Sequence, residues 1–216
     1  MKLALFDLDN TLLEGDSDVA WAQFLIEEGV LHPAEFHAKN LWFAERYKDG
    51  TLDIHEFLEF QLAPLAQHPR AQLDAWHEDF MQRKIRPIIR DRAVELIAHH
   101  GGKVRAIVTA TNRFITAPIA RELGVELVAT DIEEIGGNFT GKPRGTPCFR
   151  EGKIACVDEW LGALGHGLRD YESWFYGDSL NDMPLLERVD HPVAVDPDAT
   201  LRAYAQERDW EIISLK

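Results

Sequence analysis

Lys2-Leu3-Ala4-Leu5-Phe6-Asp7-Leu8-Asp9-Asn10-Thr11 is an apolar run that stops on a polar cluster. A short run this apolar reads as a strand buried on both faces. Two later stretches repeat the arrangement. Ala106-Ile107-Val108 leads into Thr109-Ala110-Thr111, and Ser173-Trp174-Phe175-Tyr176 leads into Gly177-Asp178-Ser179-Leu180-Asn181-Asp182. Lys153 adds an ammonium near the start of an expected helix. In an open parallel sheet, ligands bind beyond the carboxyl ends of the strands. The clusters therefore converge on one pocket although they span most of the chain.

The segments between them support such a sheet. Helical and strand patterns alternate from residue 88 onward. Helices are expected at 88–100, 113–123, 154–164, 180–187 and 199–207, and strands at 104–108, 125–129, 174–176, 192–195 and 210–213. Residues 131–140, centred on Gly136-Gly137-Asn138, read as a small β-hairpin. Alternation of this kind predicts an α/β fold, a doubly wound parallel sheet with helices on both faces. Residues 17–83 have a different character. Helical spacing of Trp21, Phe24 and Leu25, then Phe36, Phe43 and Tyr47, then Ile54, Phe57, Leu58 and Leu62, then Leu73, Trp76, Phe80 and Met81 predicts four helices with a small bundle core. Ser17 is the expected cap of the first. This places an inserted α-helical cap at residues 15–86, over the carboxyl edge of a core formed by residues 1–14 and 87–216.

The chain has 216 residues, 45% of them hydrophobic, which suits a sizeable core. Its formal net charge of -14 repels nucleic acid and anionic lipid. A phosphate ester would be repelled too, so a site for one must supply its own cations. No apolar stretch approaches the length of a membrane span, and the first residues carry no secretory pattern. Cys148 and Cys156 are too few for a disulfide framework, so a reducing cytoplasm is expected. The nine histidines show no metal-ligand spacing. No Gly-rich nucleotide loop and no nucleophile elbow occurs.

Asp7 and Asp9 lie two apart at a strand end, so both can point to one side. One carboxylate can attack phosphorus while the other moves a proton. The same residues also suit a turn that caps the next segment. The Thr109 hydroxyl and the amides of Ala110 and Thr111 can hold phosphate oxygens at a helix start, or Thr111 or Asn112 can simply cap that helix. Lys153 opposes a helix dipole at a cost of roughly half a kcal/mol, which hints at another purpose. Asp178 can bind a divalent cation, with Asp182 one helical turn later, and Gly177 is expected to permit a sharp turn. Taken together, the clusters suit metal-assisted phosphoryl chemistry.

These residues resemble the haloacid dehalogenase superfamily of phosphatases, in the branch that looks like phosphoserine phosphatase. Its four motifs fall on Asp7, Asp9 and Thr11; on Thr109; on Lys153; and on Asp178 with Asp182. The helical insert matches that branch's cap. The resemblance implies an aspartyl-phosphate on Asp7, with Asp9 as general acid and then base. It also implies Mg2+ on the carboxylates of Asp7 and Asp178 and the main-chain carbonyl of Asp9. Thr109 and Lys153 would neutralise the phosphoryl oxygens, with Asn181 and Asp182 in support. The implied substrate is a small phosphorylated metabolite. Asp16 matches the position of an acid that holds a substrate ammonium, or equally caps the first helix of the insert; Glu14 and Asp18 nearby make the mouth acidic, and Arg46, the only arginine between residues 15 and 69, is a candidate for a carboxylate. Where the branch usually reads Ser-Gly-Gly, this chain reads Thr109-Ala110-Thr111, and the added side chains would crowd an amino-acid carboxylate. That favours histidinol phosphate, with phosphoserine second and phosphotransfer as an alternative. A receiver-like phosphorylation switch would use a similar Asp, Thr and Lys set, but Asp9 argues against one.

Overall fold

The structure, a computed structural model, describes residues 1–216 apart from the side chain of Glu35. Strand β1 (Lys2–Phe6) is followed by helices α1 (Ser17–Glu27), α2 (Pro33–Asp49), α3 (Ile54–Ala66), α4 (Arg70–Phe80) and α5 (Asp91–His99). Then come β2 (Val104–Asn112), α6 (Arg113–Leu123), β3 (Glu126–Ile135), β4 (Asn138–Arg144) and α7 (Glu151–Ala163). The chain continues with β5 (Glu172–Gly177), α8 (Met183–Leu186), β6 (His191–Val195), α9 (Ala199–Glu207) and β7 (Glu211–Ile213). Among the described residues the strands form one sheet in the order β4-β3-β2-β1-β5-β6-β7. Every pairing is parallel except that of β3 with β4.

β1 shows why its sequence is apolar throughout. Leu3 and Leu5 enter one core cluster, while Ala4 and Phe6 enter another on the opposite face. A strand covered on both sides cannot alternate polar and apolar residues. Its register sets the site. Phe6 pairs with Ile107 on β2 and with Tyr176 on β5, and the Asp7 amide donates to the Tyr176 carbonyl at 2.8 Å. The residues that come after all three partners therefore emerge at one edge.

Several expectations need correction. β2 does not stop at Val108; it runs to Asn112, with a register shift between Thr109 and Asn112. The α6 cap is Asn112, one of the two residues expected there, and its side chain accepts from the Ile115 amide at 3.2 Å. The hairpin is an extension of β3 that supplies the antiparallel edge of the main sheet. Gly136 and Gly137 at its turn have φ of 59° and 82°, which two-residue hairpins demand. Of the two caps considered for α1, Asp16 rather than Ser17 serves, accepting from the Val19 amide at 2.9 Å.

The four helices after β1 do not close a core of their own. Trp21, Phe24, Leu58, Leu62, Leu73 and Phe80 share one cluster with Phe6 and Ile107. The Trp21 ring stacks on Phe24 and meets Phe114 of α6 edge-on. A separate cluster joins α2, the turn after it and α3, in which Phe43 and Leu52 pack with Phe57 and Phe60 of α3 and with Phe149 and Ala110 from the sheet side. Among the described residues no helix is long and apolar enough to cross a membrane.

Candidate active site

Lys153, in the first turn of α7, is 3% exposed. Its Nζ donates to Asp7 Oδ1 at 2.7 Å and to Asp182 Oδ1 at 2.5 Å. Burial opposes its charge, but Asp182 and Asp7 prevail and hold its pKa well above the usual lysine value. Carboxylate oxygens of Asp7, Asp178 and Asp182 all lie within 4.8 Å of one another. Burial pushes the Asp7 carboxyl up to about 8; Lys153 pulls it down, and Asp182 and Asp9 add to the rise. Burial, then Asp7 and Asp182, pushes Asp178 up to about 9. Asp182 Oδ2 is occupied by the amides of Asp178 at 3.1 Å and Ser179 at 3.3 Å. Among the described residues the Asp178 carboxylate accepts no hydrogen bond. Ionised together, three carboxylates against one ammonium would leave two negative charges uncompensated at a largely buried site. All-oxygen donors with that excess fit a hard divalent cation.

Asp9 is held on three sides. Its Oδ1 accepts from the Ser17 amide at 2.6 Å, and its Oδ2 from the hydroxyls of Thr111 at 2.9 Å and Thr109 at 3.3 Å. Asn10, with φ of 62°, makes the turn that brings Ser17 back to Asp9; Asn tolerates that region better than most residues. The Thr111 hydroxyl also lies 3.1 Å from Asp18 Oδ2. Its single proton can be donated to Asp9 Oδ2 or to Asp18 Oδ2. Asp18 is buried, and burial, with Asp16 and Asp9 next in size, raises its carboxyl well above the ordinary range. Thr111 therefore links Asp18 to Asp9.

The remaining expected residues divide. Thr109, Lys153, Asp178 and Asp182 join Asp7 and Asp9 as expected. Thr111 turns inward, and its amide is used by Thr109 Oγ1 at 3.1 Å. Ala110 packs beneath Phe43 and Leu52, and its carbonyl accepts from Thr130 at 2.8 Å. Asp16 is half-buried beside Asp9, its carboxyl pushed up to about 7 by burial and by Asp9. Arg46 lies 3.6 Å from the Trp42 ring centroid and makes no side-chain hydrogen bond to the cluster. Asn181 accepts from Arg150 Nε at 2.8 Å and donates to the Tyr47 carbonyl at 3.4 Å. Asp18 had no assigned role in the sequence. Tyr47 and Arg150 carried no site signal, because long-range packing alone brings them here. Arg150 has φ 51° and ψ −119°, a conformation that costs a non-glycine residue about 1–3 kcal/mol.

A cavity of about 940 Å³ lies elsewhere, between α4, α6 and the β3–β4 hairpin. Four of its five arginines, Arg70, Arg86, Arg113 and Arg144, pair with carboxylates. The Asp7 cluster is instead largely buried, with Asp7, Thr109, Lys153 and Asp182 all buried and Asp178 partly exposed.

The haloacid dehalogenase-like hydrolase family model matches residues 4–187. The chain belongs to that family. It is 42% identical to a Histidinol-phosphatase of Neisseria meningitidis serogroup C (strain 8013), covering 100% of this chain and 99% of that one. A crystal structure of a protein of unknown function from Bordetella pertussis Tohama I shares 49% identity with a TM-score of 0.94, covering 100% and 99%. A phospho-aspartyl intermediate analogue of phosphoserine phosphatase matches in fold alone, at 21% identity and a TM-score of 0.69 over 100% and 93%. This haloacid dehalogenase-like hydrolase is a phosphatase.

Gly177 serves a purpose other than the sharp turn expected of it, because it closes β5 in ordinary extended backbone. A Cβ there would stand 2.7 Å from Asp182 Cγ and Oδ2. Glycine leaves room for the carboxylate that grips Lys153. Gly177→Ala is expected to cost about 1–3 kcal/mol of stability and roughly tenfold or more in turnover of p-nitrophenyl phosphate. Thermal melts and initial rates test this; a variant with parental rates would show that Asp182 tolerates displacement.

Proposed function

We propose that this phosphatase is a magnesium-dependent monoesterase that hydrolyses histidinol phosphate through an aspartyl-phosphate on Asp7. The observation that carries the reading is the Asp7–Lys153 pair at 2.7 Å, with Asp9 beside it gripped by the Ser17 amide and two hydroxyls. Asp7 attacks phosphorus, and the P–O bond to the substrate alcohol breaks. Asp9 gives its proton to that departing oxygen. It then takes a proton from water, whose oxygen attacks phosphorus and releases inorganic phosphate from Asp7. Lys153 and the Thr109 hydroxyl offset charge on the phosphoryl oxygens. Asp7, Asp178 and the Asp9 main-chain carbonyl would hold Mg2+, which when bound offsets the repulsion between carboxylate and phosphate. Residues 15–86 act as the cap, with the end of α2 as the part that covers the cluster.

The substrate reading rests on the 42% identical relative, matched over nearly its full length, and on Asp16 beside Asp9. An acidic mouth suits an amine. The crowded Ala110-Thr111 pair does not suit an amino-acid carboxylate. Phosphate release from histidinol phosphate, phosphoserine and p-nitrophenyl phosphate, with Mg2+ or EDTA, tests it. Histidinol phosphate is expected to exceed phosphoserine by about 100-fold or more in kcat/KM, with EDTA abolishing both. Asp16→Asn is expected to raise KM for histidinol phosphate about tenfold and leave p-nitrophenyl phosphate within about twofold. Equal kcat/KM for histidinol phosphate and phosphoserine would sink the substrate, and EDTA resistance the metal. Phosphorylated products formed with competing alcohols would convert the hydrolase reading into phosphotransfer.

A further inference from the structure

Arg150 occupies a backbone conformation that glycine adopts freely and arginine rarely does. Its side chain supplies a reason. Nε donates to Asn181 Oδ1 at 2.8 Å, and Nη2 donates to the Gly50 carbonyl at the end of α2. The guanidinium also lies 5.1 Å from the Phe149 ring centroid. Among the described residues no carboxylate pairs with it. One planar group therefore joins two segments that meet only above the active site: the end of α2 and the loop carrying Asp178 and Asp182. Weaker contacts run alongside. Asn181 reaches the Tyr47 carbonyl at 3.4 Å, the Tyr47 and Ser179 hydroxyls lie 3.4 Å apart, and Phe43 and Leu52 pack on Phe149. Beneath them Asp7, Lys153 and Asp182 are shut from solvent.

We propose that Arg150 is a positioning residue that straps the end of α2 onto Asn181, holding the cap closed and Asn181 in place over the Asp7 cluster. The fork geometry matters as well as the charge. Arginine can present Nε to one acceptor and Nη2 to another, a reach that a lysine ammonium does not reproduce. The strained backbone is what aims the fork at both.

Arg150→Gly separates this role from mere packing, because glycine suits the local backbone while the strap is lost. The full-length parent, Arg150→Gly and Arg150→Lys would be compared in thermal melts, in amide hydrogen exchange of residues 47–53 without substrate, and in hydrolysis of p-nitrophenyl phosphate with Mg2+. Arg150→Gly is expected to melt no lower than the parent, to exchange residues 47–53 at least about tenfold faster, and to lose at least about tenfold in kcat with a smaller change in KM. Arg150→Lys is expected to fall between the two. Unchanged exchange in Arg150→Gly would overturn the strap, as would parental behaviour of Arg150→Lys. So would a rate loss that comes with a lower melting temperature and no faster exchange. The kinetic arm rests on the phosphatase reading above, and the exchange arm does not. A parent protein inactive on every ester would sink that reading while exchange still decides the strap.

Discussion

Asp7→Asn is expected to lose phosphate release by at least about 10⁴-fold, as removal of a nucleophile does, in a protein that melts no lower than its parent. The two halves of that result have one cause. Asp7 is buried beside two other carboxylates, and only Lys153 offsets it. Asparagine keeps an oxygen for Lys153 but removes a charge that is costly where it sits. The same burial fixes the sign with pH. Unfolded, Asp7 ionises near its ordinary value of 3.8; folded without metal, near about 8. Between those values the folded state holds the extra proton, so stability of the metal-free protein falls as pH rises through the window. The advantage of Asp7→Asn in EDTA should therefore grow from pH 5 to 8. Mg2+ should erase it by raising the parent alone. Melts across pH with EDTA or Mg2+, and a phosphate-release assay, check both halves. A folded Asp7→Asn enzyme with measurable turnover would remove Asp7 as the nucleophile.

Much of this was readable from the residues, for physical reasons that differ by element. β1, β2 and β5 are apolar throughout because both faces are covered, so the strands and the convergence of their ends could be seen in advance. Asp7, Asp9, Thr109, Lys153, Asp178 and Asp182 follow from that convergence. The end of β2 was misjudged because Thr109 to Thr111 stay extended through a register shift that no local pattern announces. The expected bundle core survives only in part, between α2 and α3, for a similar reason: helical spacing reveals an apolar face but not its partner, and Trp21 meets Phe114 of α6 as well as Phe80. Gly177 was noticed for the wrong reason, since the space it leaves is for a side chain five residues on. Arg150 could not be found at all. Its backbone angles are imposed by contacts with Gly50 and Asn181, and nothing in Phe149-Arg150-Glu151 betrays them.

Lys153→Met makes the opposite change to the same cluster, and the largest stability loss is expected from it. Methionine nearly matches the lysine stem in volume, so little cavity forms. What disappears is the only ammonium facing Asp7 and Asp182, at 2.7 and 2.5 Å. Removing one partner of a buried ion pair typically costs about 3–5 kcal/mol, which for a chain of this size corresponds to a melting temperature lower by roughly 10 °C. Phosphate release should fall by about 10³-fold, the scale of losing a preorganised charge aimed at the reacting group. An apolar packing defect would predict a similar melt, so pH separates the two causes. Acid protonates the abandoned carboxylates and relieves their repulsion, whereas it does nothing for a void. The deficit of Lys153→Met against its parent should therefore shrink as pH falls from 8 to 5, and Mg2+ should recover part of it at pH 8. A deficit that stays constant across that range would mean that Lys153 stabilises the fold by filling space, and the three carboxylates would need another explanation for lying so close.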